Sequence, residues 1–139
     1  MDLDAALEFA SARHQGVLTT IRSNGRPQLS NIVYAVDGTG ARISVTDDRA
    51  KTRNLRRDPR ASLYVVGDDF WSYVVVEAAA TLTPVATSPD DPTVEELVEL
   101  YRTLQGEHPD WDEYRRSMVE QGRLVVHLTP ERAYGMVPS

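Results

Sequence analysis

Residues 17–36 read VLTTIRSNGRPQLSNIVYAV, and this stretch indicates the fold class. The segments Val17–Ile21 and Gln28–Val36 are rich in β-branched residues, which favour strands. Between them, Ser23–Gly25 is a strong hairpin signal because Asn and Gly tolerate a positive φ. The stretch therefore predicts a strand, a tight turn and a second, antiparallel strand.

Apolar residues that alternate or are β-branched recur along the rest of the chain and predict further strands. These strands cover Arg42–Thr46, Ala61–Val66, Trp71–Leu82 and Leu124–Thr129. The turn Asp37–Gly40 joins the hairpin to the first of them, so the first three strands are expected to form a meander. Both faces of Trp71–Leu82 are apolar, which indicates burial on both sides and suggests a subunit interface.

Four segments carry the apolar spacing that is typical of helices. They are residues 3–13, 50–57, 93–105 and 111–121. The first is expected to end at Gly16, and the third to begin in a capping box, Thr93–Glu96, after a proline-rich loop over residues 83–92. About six antiparallel strands with helices between them close most economically as a small barrel flanked by helices. The predicted fold class is therefore mainly β.

The composition limits the possible classes of function. The 139 residues, 41% of them hydrophobic, suffice for one domain spanning residues 1–139. The chain contains no cysteine, which excludes disulfides and thiolate chemistry, and its three histidines lack motif spacing, so no metal site is expected. No apolar run is long enough to span a bilayer, and the start, Met1–Asp4, is acidic. The protein is therefore expected to be cytoplasmic, with no membrane partner.

One cationic segment contrasts with the formal net charge of -6. Residues 49–60 read RAKTRNLRRDPR and hold 6 of the 15 basic residues. The acidic total argues against a nucleic-acid partner, since such binding depends on neutralising phosphates. The segment is either a solvated helix face with an ion pair or two, or a binding site for an anion. Spacing alone does not decide between these interpretations.

Three motifs together resemble a known family. They are GRPQLSN at residues 25–31, RAKTRNL at residues 49–55 and WSYV at residues 71–74. The combination resembles the pyridoxamine 5'-phosphate oxidase-like split β-barrels, and more narrowly their F420-dependent FDOR-B branch of flavin and deazaflavin oxidoreductases. The likeness extends over essentially the whole chain. It implies a split β-barrel that works as a homodimer, with FMN or coenzyme F420 held in grooves at the subunit interface.

The resemblance also implies which residues meet the cofactor. Those expected at the ring system are Pro27, Gln28, Leu29, Ser30 and Asn31, with Val45 and Thr46 beside it and the partner subunit's Trp71 and Tyr73 opposite. Those expected at the anionic arm are Arg49 and Lys51, with Thr52 and Asn54 as supporting donors. The alternative interpretations are a polar outer strand face for residues 28–31 and ordinary interface packing for Trp71 and Tyr73.

The basic segment favours F420 over FMN as the cofactor. F420 carries a phosphodiester and an oligoglutamate tail, so it needs a longer cationic strip than the single phosphate of FMN. Charge-assisted hydrogen bonds contribute roughly 1.5–3 kcal/mol each, so two or three can hold such an arm. The resemblance thus implies an F420-dependent oxidoreductase that transfers a hydride between reduced deazaflavin and a small organic acceptor. The alternatives are an FMN-binding oxidoreductase of the same fold and a non-enzymatic F420 carrier.

No residue is assigned a catalytic role from the sequence. A glycine-rich phosphate loop and a nucleophile elbow are both absent from the chain. This is compatible with a redox enzyme, because the cofactor itself performs the hydride chemistry. The balancing proton is expected from solvent or from the hydroxyl of Tyr73 or Ser30.

Overall fold

Seven antiparallel strands form one curled sheet, with four helices against it. The computed structural model describes residues Met1–Pro138. The strands are β1 Gln15–Ile21, β2 Pro27–Val33, β3 Ala35–Asp37, β4 Gly40–Thr46, β5 Arg60–Val66, β6 Tyr73–Leu82 and β7 Arg123–Met136. The helices are α1 Leu3–Ser11, α2 Ala50–Arg57, α3 Pro92–Gln105 and α4 Trp111–Glu120. Within Met1–Pro138, no helix has the length and apolar character needed to cross a membrane. The predicted class, a mainly β split barrel, is confirmed.

The strand order β2-β1-β5-β6-β7-β4-β3 corrects the predicted meander. β2 pairs with β1, whereas β3 and β4 pair with each other at the opposite end of the sheet. The predicted strand Gln28–Val36 is therefore divided at Tyr34. This side chain is fully buried, its hydroxyl donates to the carbonyl oxygen of Ala10 at 2.7 Å, and its N–H donates to the carbonyl oxygen of His14 at 2.8 Å. Because these bonds tie Tyr34 to α1 and its connection, the chain leaves β1 here and crosses to β4.

Two predicted boundaries near the barrel ends are wrong. Gly16 does not end α1 but lies in β1, where a Cβ would be 2.7 Å from the carbonyl oxygen of Tyr64. The long strand β6 begins at Tyr73, because the preceding turn is closed by a bond from the Gly67 N–H to the Ser72 carbonyl at 2.7 Å. Trp71 lies in that turn, outside the strand.

Two further elements differ from prediction around the helix pair. α3 begins at Pro92 because Asp91, rather than Thr93, is its N-cap: the Asp91 carboxylate accepts from the Val94 N–H at 2.8 Å. Thr93 instead donates its hydroxyl to the Pro84 carbonyl oxygen at 2.8 Å. β7 extends to Met136, well beyond the predicted end, since it pairs with the whole length of β6.

Two apolar cores lie on opposite faces of β7. Leu124 and Val126 point into the main core inside the curled sheet, together with Leu18, Ile43 and Leu63. The intervening side chain contributes to a second core under α3 and α4, formed by Ala86, Val94, Leu97, Val98, Met118 and Val125. Alternate strand residues point to opposite faces, so one strand serves both cores. The second core fixes the helix pair over the outer face of β7 and β4.

Candidate functional site

Side-chain hydrogen bonds hold α2 against β1 and the end of β4. The Asn54 amide donates to the Thr20 hydroxyl at 3.1 Å, and both side chains are buried. Thr52, fully buried, donates its hydroxyl to the Thr46 carbonyl oxygen at 2.7 Å. Arg57 donates to the Ile21 carbonyl oxygen at 2.8 Å. The side chains of Thr52 and Asn54 are thus engaged within the protein, and they position the helix.

The start of α2 borders a small groove beside β2. The groove has a volume of about 110 Å³ and is lined by Gln28, Ser30, Arg49, Ala50 and Lys51. α1, α3 and α4 begin with aspartate N-caps that accept a backbone N–H, but the N-cap of α2 is Arg49, whose side chain makes no capping bond. The first backbone N–H groups of α2 therefore have no side-chain acceptor there, as at helix ends that bind anions.

Lys51 lies between this groove and a larger cleft. Its ammonium approaches the Ser30 hydroxyl at 3.5 Å. Burial lowers the pKa of Lys51 below its usual value, and the guanidinium groups of Arg49 and Arg123 lower it further. The charged form of Lys51 is therefore less stable here than in water, and a bound anion would stabilise it.

The six basic residues of the segment 49–60 divide into two groups. Arg56 and Arg60 form ion pairs with Asp47 and Asp58, as expected of a solvated helix face. In the described part of the chain, no carboxylate lies within ion-pair distance of the other four, which are Arg49, Lys51, Arg53 and Arg57. The interpretation as a solvated helix face therefore fits Arg56 and Arg60, and the interpretation as an anion site stays a prediction for the other four.

The residues predicted at the ring system lie in several places. Alternation along β2 turns Gln28 and Ser30 toward the groove, whereas Pro27 and Leu29 are exposed on the opposite face. Asn31, also exposed, lines a larger cleft that Lys51 shares. The two residues predicted beside the ring lie at the end of β4. Val45 is 2% exposed and packs in the main core, and Thr46 donates its hydroxyl to Asp48 at 2.8 Å.

Trp71 and Tyr73 lie apart from the groove within one chain. Trp71 is 72% exposed and packs edge to face on Phe70, with ring centroids 5.0 Å apart. Tyr73, half-buried, stacks on Tyr64 at 5.7 Å. Neither lines the groove beside Lys51. Their predicted role belongs to the partner subunit and stays a prediction.

A larger cleft that sequence reasoning missed lies under the helix pair. It has a volume of about 380 Å³ and is lined by Asn31, Ile32, Val33, Ser44, Lys51, Leu97, Leu100, Tyr101, Leu104, Gln105, Tyr114, Met118 and Arg123. Arg123 donates to the Gln121 amide oxygen at 2.8 Å and to the Ser44 hydroxyl at 3.3 Å. The apolar spacing of α3 and α4 was visible in the sequence, but nothing local showed that their aromatic residues face β2 and β4.

The donor set of the groove fits the anionic arm of a flavin or deazaflavin cofactor. Two cations, a hydroxyl, an amide and free backbone N–H groups surround the groove, and no carboxylate lines it. Such groups bind phosphate and carboxylate oxygens by charge-assisted hydrogen bonds. Arg49 and Lys51 would hold the arm, and Ser30 and Gln28 lie on the β2 side of it.

Comparison with known proteins agrees with the fold. The family model described as pyridoxamine 5'-phosphate oxidase matches residues 3–137. Among solved structures, one described as an F420 reductase is 22% identical, with a TM-score of 0.69, and the match covers 91% of this chain and 94% of that one. A conserved hypothetical protein from Mycobacterium tuberculosis is 25% identical, with a TM-score of 0.70 and coverage of 96% and 82%. The heme storage protein HutZ from Vibrio cholerae is 19% identical, with a TM-score of 0.70 and coverage of 97% and 95%.

Proposed function

The chain belongs to the pyridoxamine 5'-phosphate oxidase family, and we propose that it is a homodimeric oxidoreductase that uses coenzyme F420. The observation that carries the proposal is the cationic groove between β2 and α2. Lys51 and Arg49 face it without carboxylate partners among residues 1–138. The Thr46 hydroxyl bond and the nearby charges of Arg49 and Arg53 lower the pKa of Asp48, but no carboxylate lines the groove itself, so an anion there would meet two cations directly.

The number of free cations supports F420 rather than FMN. A single phosphate is satisfied by one or two cations and the free N–H groups of a helix start. Arg53 and Arg57 add positive charge along α2 beyond the groove; their hydrogen bonds go to neutral oxygens, although Asp48 and Asp58 lie near enough to interact with them. A phosphodiester followed by several glutamate carboxylates matches such a strip. The structural similarity to a protein described as an F420 reductase supports the same choice.

The residues of this chain bind and orient the cofactor. When bound, the reduced deazaflavin supplies a hydride to a carbon of the acceptor, and a proton taken up from water balances the reduction. Ser30 accepts a hydrogen bond from Lys51, which leaves its own proton available to a ligand in the groove. The curled sheet holds β2 and α2 on rigid elements, so the groove is formed before the cofactor arrives.

An exposed apolar surface supports the homodimer. Its large side chains on the β5–β6 turn and the ends of β5 and β7 are Val66, Phe70, Trp71, Tyr134 and Met136, each at least 40% exposed. Clusters of this kind mark interfaces more often than free surface. With the partner subunit's Trp71 placed over the groove, the ring system would be walled on the side that one chain leaves open.

Fluorescence titration of the purified protein with F420 tests the proposal. We expect quenching or a rise in polarisation at micromolar F420. Lys51→Gln removes one charge-assisted contact and should weaken binding about tenfold, equal to about 1.4 kcal/mol. Arg116→Gln, which removes an exposed charge on α4 outside the groove, is the matched control and should bind like the wild type.

Three results would contradict the proposal in different ways. A yellow protein that retains FMN and does not bind F420 would show that the cofactor is FMN and not F420. F420 affinity unchanged in Lys51→Gln would move the arm away from the groove. Tight F420 binding with no oxidation of reduced F420 by any acceptor in a broad screen would make the protein a carrier.

A further inference from the structure

The cleft under α3 and α4 is a second ligand-sized space beside the cationic groove. Its volume of about 380 Å³ falls at the small end of the range for small-molecule sites, which suits one or two fused rings. It is several times larger than the groove of about 110 Å³. Lys51 lines both, so a molecule in the cleft lies next to a cofactor in the groove.

One wall of the cleft is apolar and rigid. Leu97, Leu100 and Met118 are buried and belong to the packed helix pair. Tyr114 is fixed by donating its hydroxyl to the Leu97 carbonyl oxygen at 3.0 Å, and Tyr101 packs edge to face on it with ring centroids 5.0 Å apart. Two fixed aromatic rings among leucines form a surface suited to a flat apolar molecule.

The opposite side of the cleft is cationic. Arg123 bonds only to neutral oxygens, those of Gln121 and Ser44, and no aspartate or glutamate lines the cleft. Lys51 lies close enough for the guanidinium of Arg123 to lower its pKa. Two cations facing one space without a carboxylate favour a ligand that brings one negative charge.

We propose that this cleft binds a planar apolar molecule of one or two fused rings bearing one carboxylate, with Arg123 as the residue that selects the carboxylate. The binding of such an acid does not depend on the proposed function, because the groove beside Lys51 would hold the cofactor's anionic arm and not its hydride-bearing ring. Lys51 lines both spaces, so the bound acid lies beside the cofactor groove without occupying it.

Direct binding to the purified protein tests the cleft without any turnover. The probes are 2-naphthoate and 2-naphthamide, which share size and shape but differ in charge, and calorimetry measures their affinities. We expect 2-naphthoate to bind at least tenfold more tightly than 2-naphthamide. In Arg123→Gln this preference should fall to less than threefold, while 2-naphthamide affinity stays the same; Arg116→Gln should keep the full preference.

A second variant separates loss of the site from loss of the fold. Leu104→Trp fills the cleft from α3 without touching Arg123 and should abolish binding of both probes at an unchanged melting temperature. Equal binding of the two probes by the wild type, or an undiminished preference in Arg123→Gln, would overturn the role of Arg123. Unchanged binding in Leu104→Trp would overturn the location.

F420 titration in the presence of saturating 2-naphthoate distinguishes this inference from the proposed function. If F420 affinity is unchanged, the two ligands occupy separate spaces, as proposed. If 2-naphthoate displaces F420, the acid binds in the cofactor groove and the inference is wrong. If 2-naphthoate binds as expected but F420 never binds, the cleft stands as an acid-binding site and the proposed function falls.

Discussion

Lys51 lines both the groove and the cleft, and the sequence predicted only some of its neighbours. The motif at residues 49–55 predicted an anion site with Arg49 and Lys51 as its cations. It did not reveal Arg123, which lies far along the chain and lowers the pKa of Lys51 across the cleft. It also did not reveal that the side chains of Thr52 and Asn54 form hydrogen bonds within the protein. These contacts depend on which strands pair in the fold, and the local spacing of residues does not encode that pairing.

Tyr34 gives a residue-scale prediction about alkaline stability. Burial raises the pKa of Tyr34 above its usual range, and the nearby Arg13 charge offsets only part of that. A folded-state pKa above the unfolded value of about 10 means that the stabilisation is complete below pH 10 and is lost as pH rises above it. Tyr34→Phe should lower the free energy of unfolding at pH 7 by about 1 kcal/mol, because the buried hydrogen bond from its hydroxyl to the Ala10 carbonyl oxygen is lost, while that oxygen still accepts from the Arg13 N–H at 3.0 Å. Above pH 10, the free energy of unfolding of Tyr34→Phe should fall less steeply with pH than that of the wild type.

Urea unfolding between pH 7 and pH 11 measures both effects. Part of the slope should survive in Tyr34→Phe, because burial also raises the pKa of Tyr114 to about 12. A Tyr34→Phe curve parallel to the wild type at every pH would show that Tyr34 does not couple folding to alkaline pH.

At the scale of elements, the sequence predicted whether a segment is a helix or a strand better than it predicted which strands pair. All four helices and the main strands lie where periodicity placed them, because amphipathic spacing and turn residues act locally. The errors fall where distant groups decide: Tyr34 ends β2 through bonds to α1, β7 is extended by β6, and β3 exists only as a partner of β4. The short β3 has too few residues to show a period of its own.

The start of α3 gives an element-scale prediction. Asp91 accepts from the Val94 N–H at 2.8 Å and from the loop N–H groups of Thr87 and Ser88 at 2.8 and 3.1 Å. Asp91→Ala should therefore lower the free energy of unfolding by about 1–2 kcal/mol, whereas Asp91→Asn, which still caps, should lose clearly less. Urea unfolding measures both. If Thr93→Val proves costly while Asp91→Ala is neutral, the capping box predicted from sequence would be the true helix start.

At the scale of the whole molecule, one chain presents a groove that is open on one side and an apolar surface that is open to solvent. The groove lies at β2 and α2, and the apolar surface lies at the β5–β6 turn and the ends of β5 and β7. If two copies pair so that each covers the other's groove, the groove is closed and the apolar surface is buried. Sequence patterning indicated an interface through β6, but Val74, Val75 and Val76 are already buried within one chain, so the apolar faces of β6 do not require a partner. In the proposed dimer the residues that complete each site would come from the second copy, and one chain does not show how they lie over the groove.

Trp71→Glu tests this arrangement, because it places a charge in the middle of the proposed interface. Trp71 is 72% exposed in one chain, so the change should leave the monomer's stability nearly intact while it opposes pairing by burying an unpaired charge. Sedimentation velocity should show a dimer for the wild type and a monomer for Trp71→Glu. F420 affinity should fall with the dimer, since the same residue walls the partner's groove. Arg116→Glu, on the exposed face of α4, controls for added negative charge and should remain dimeric with unchanged affinity. A monomeric Trp71→Glu that binds F420 as tightly as the wild type would place the whole cofactor site within one chain.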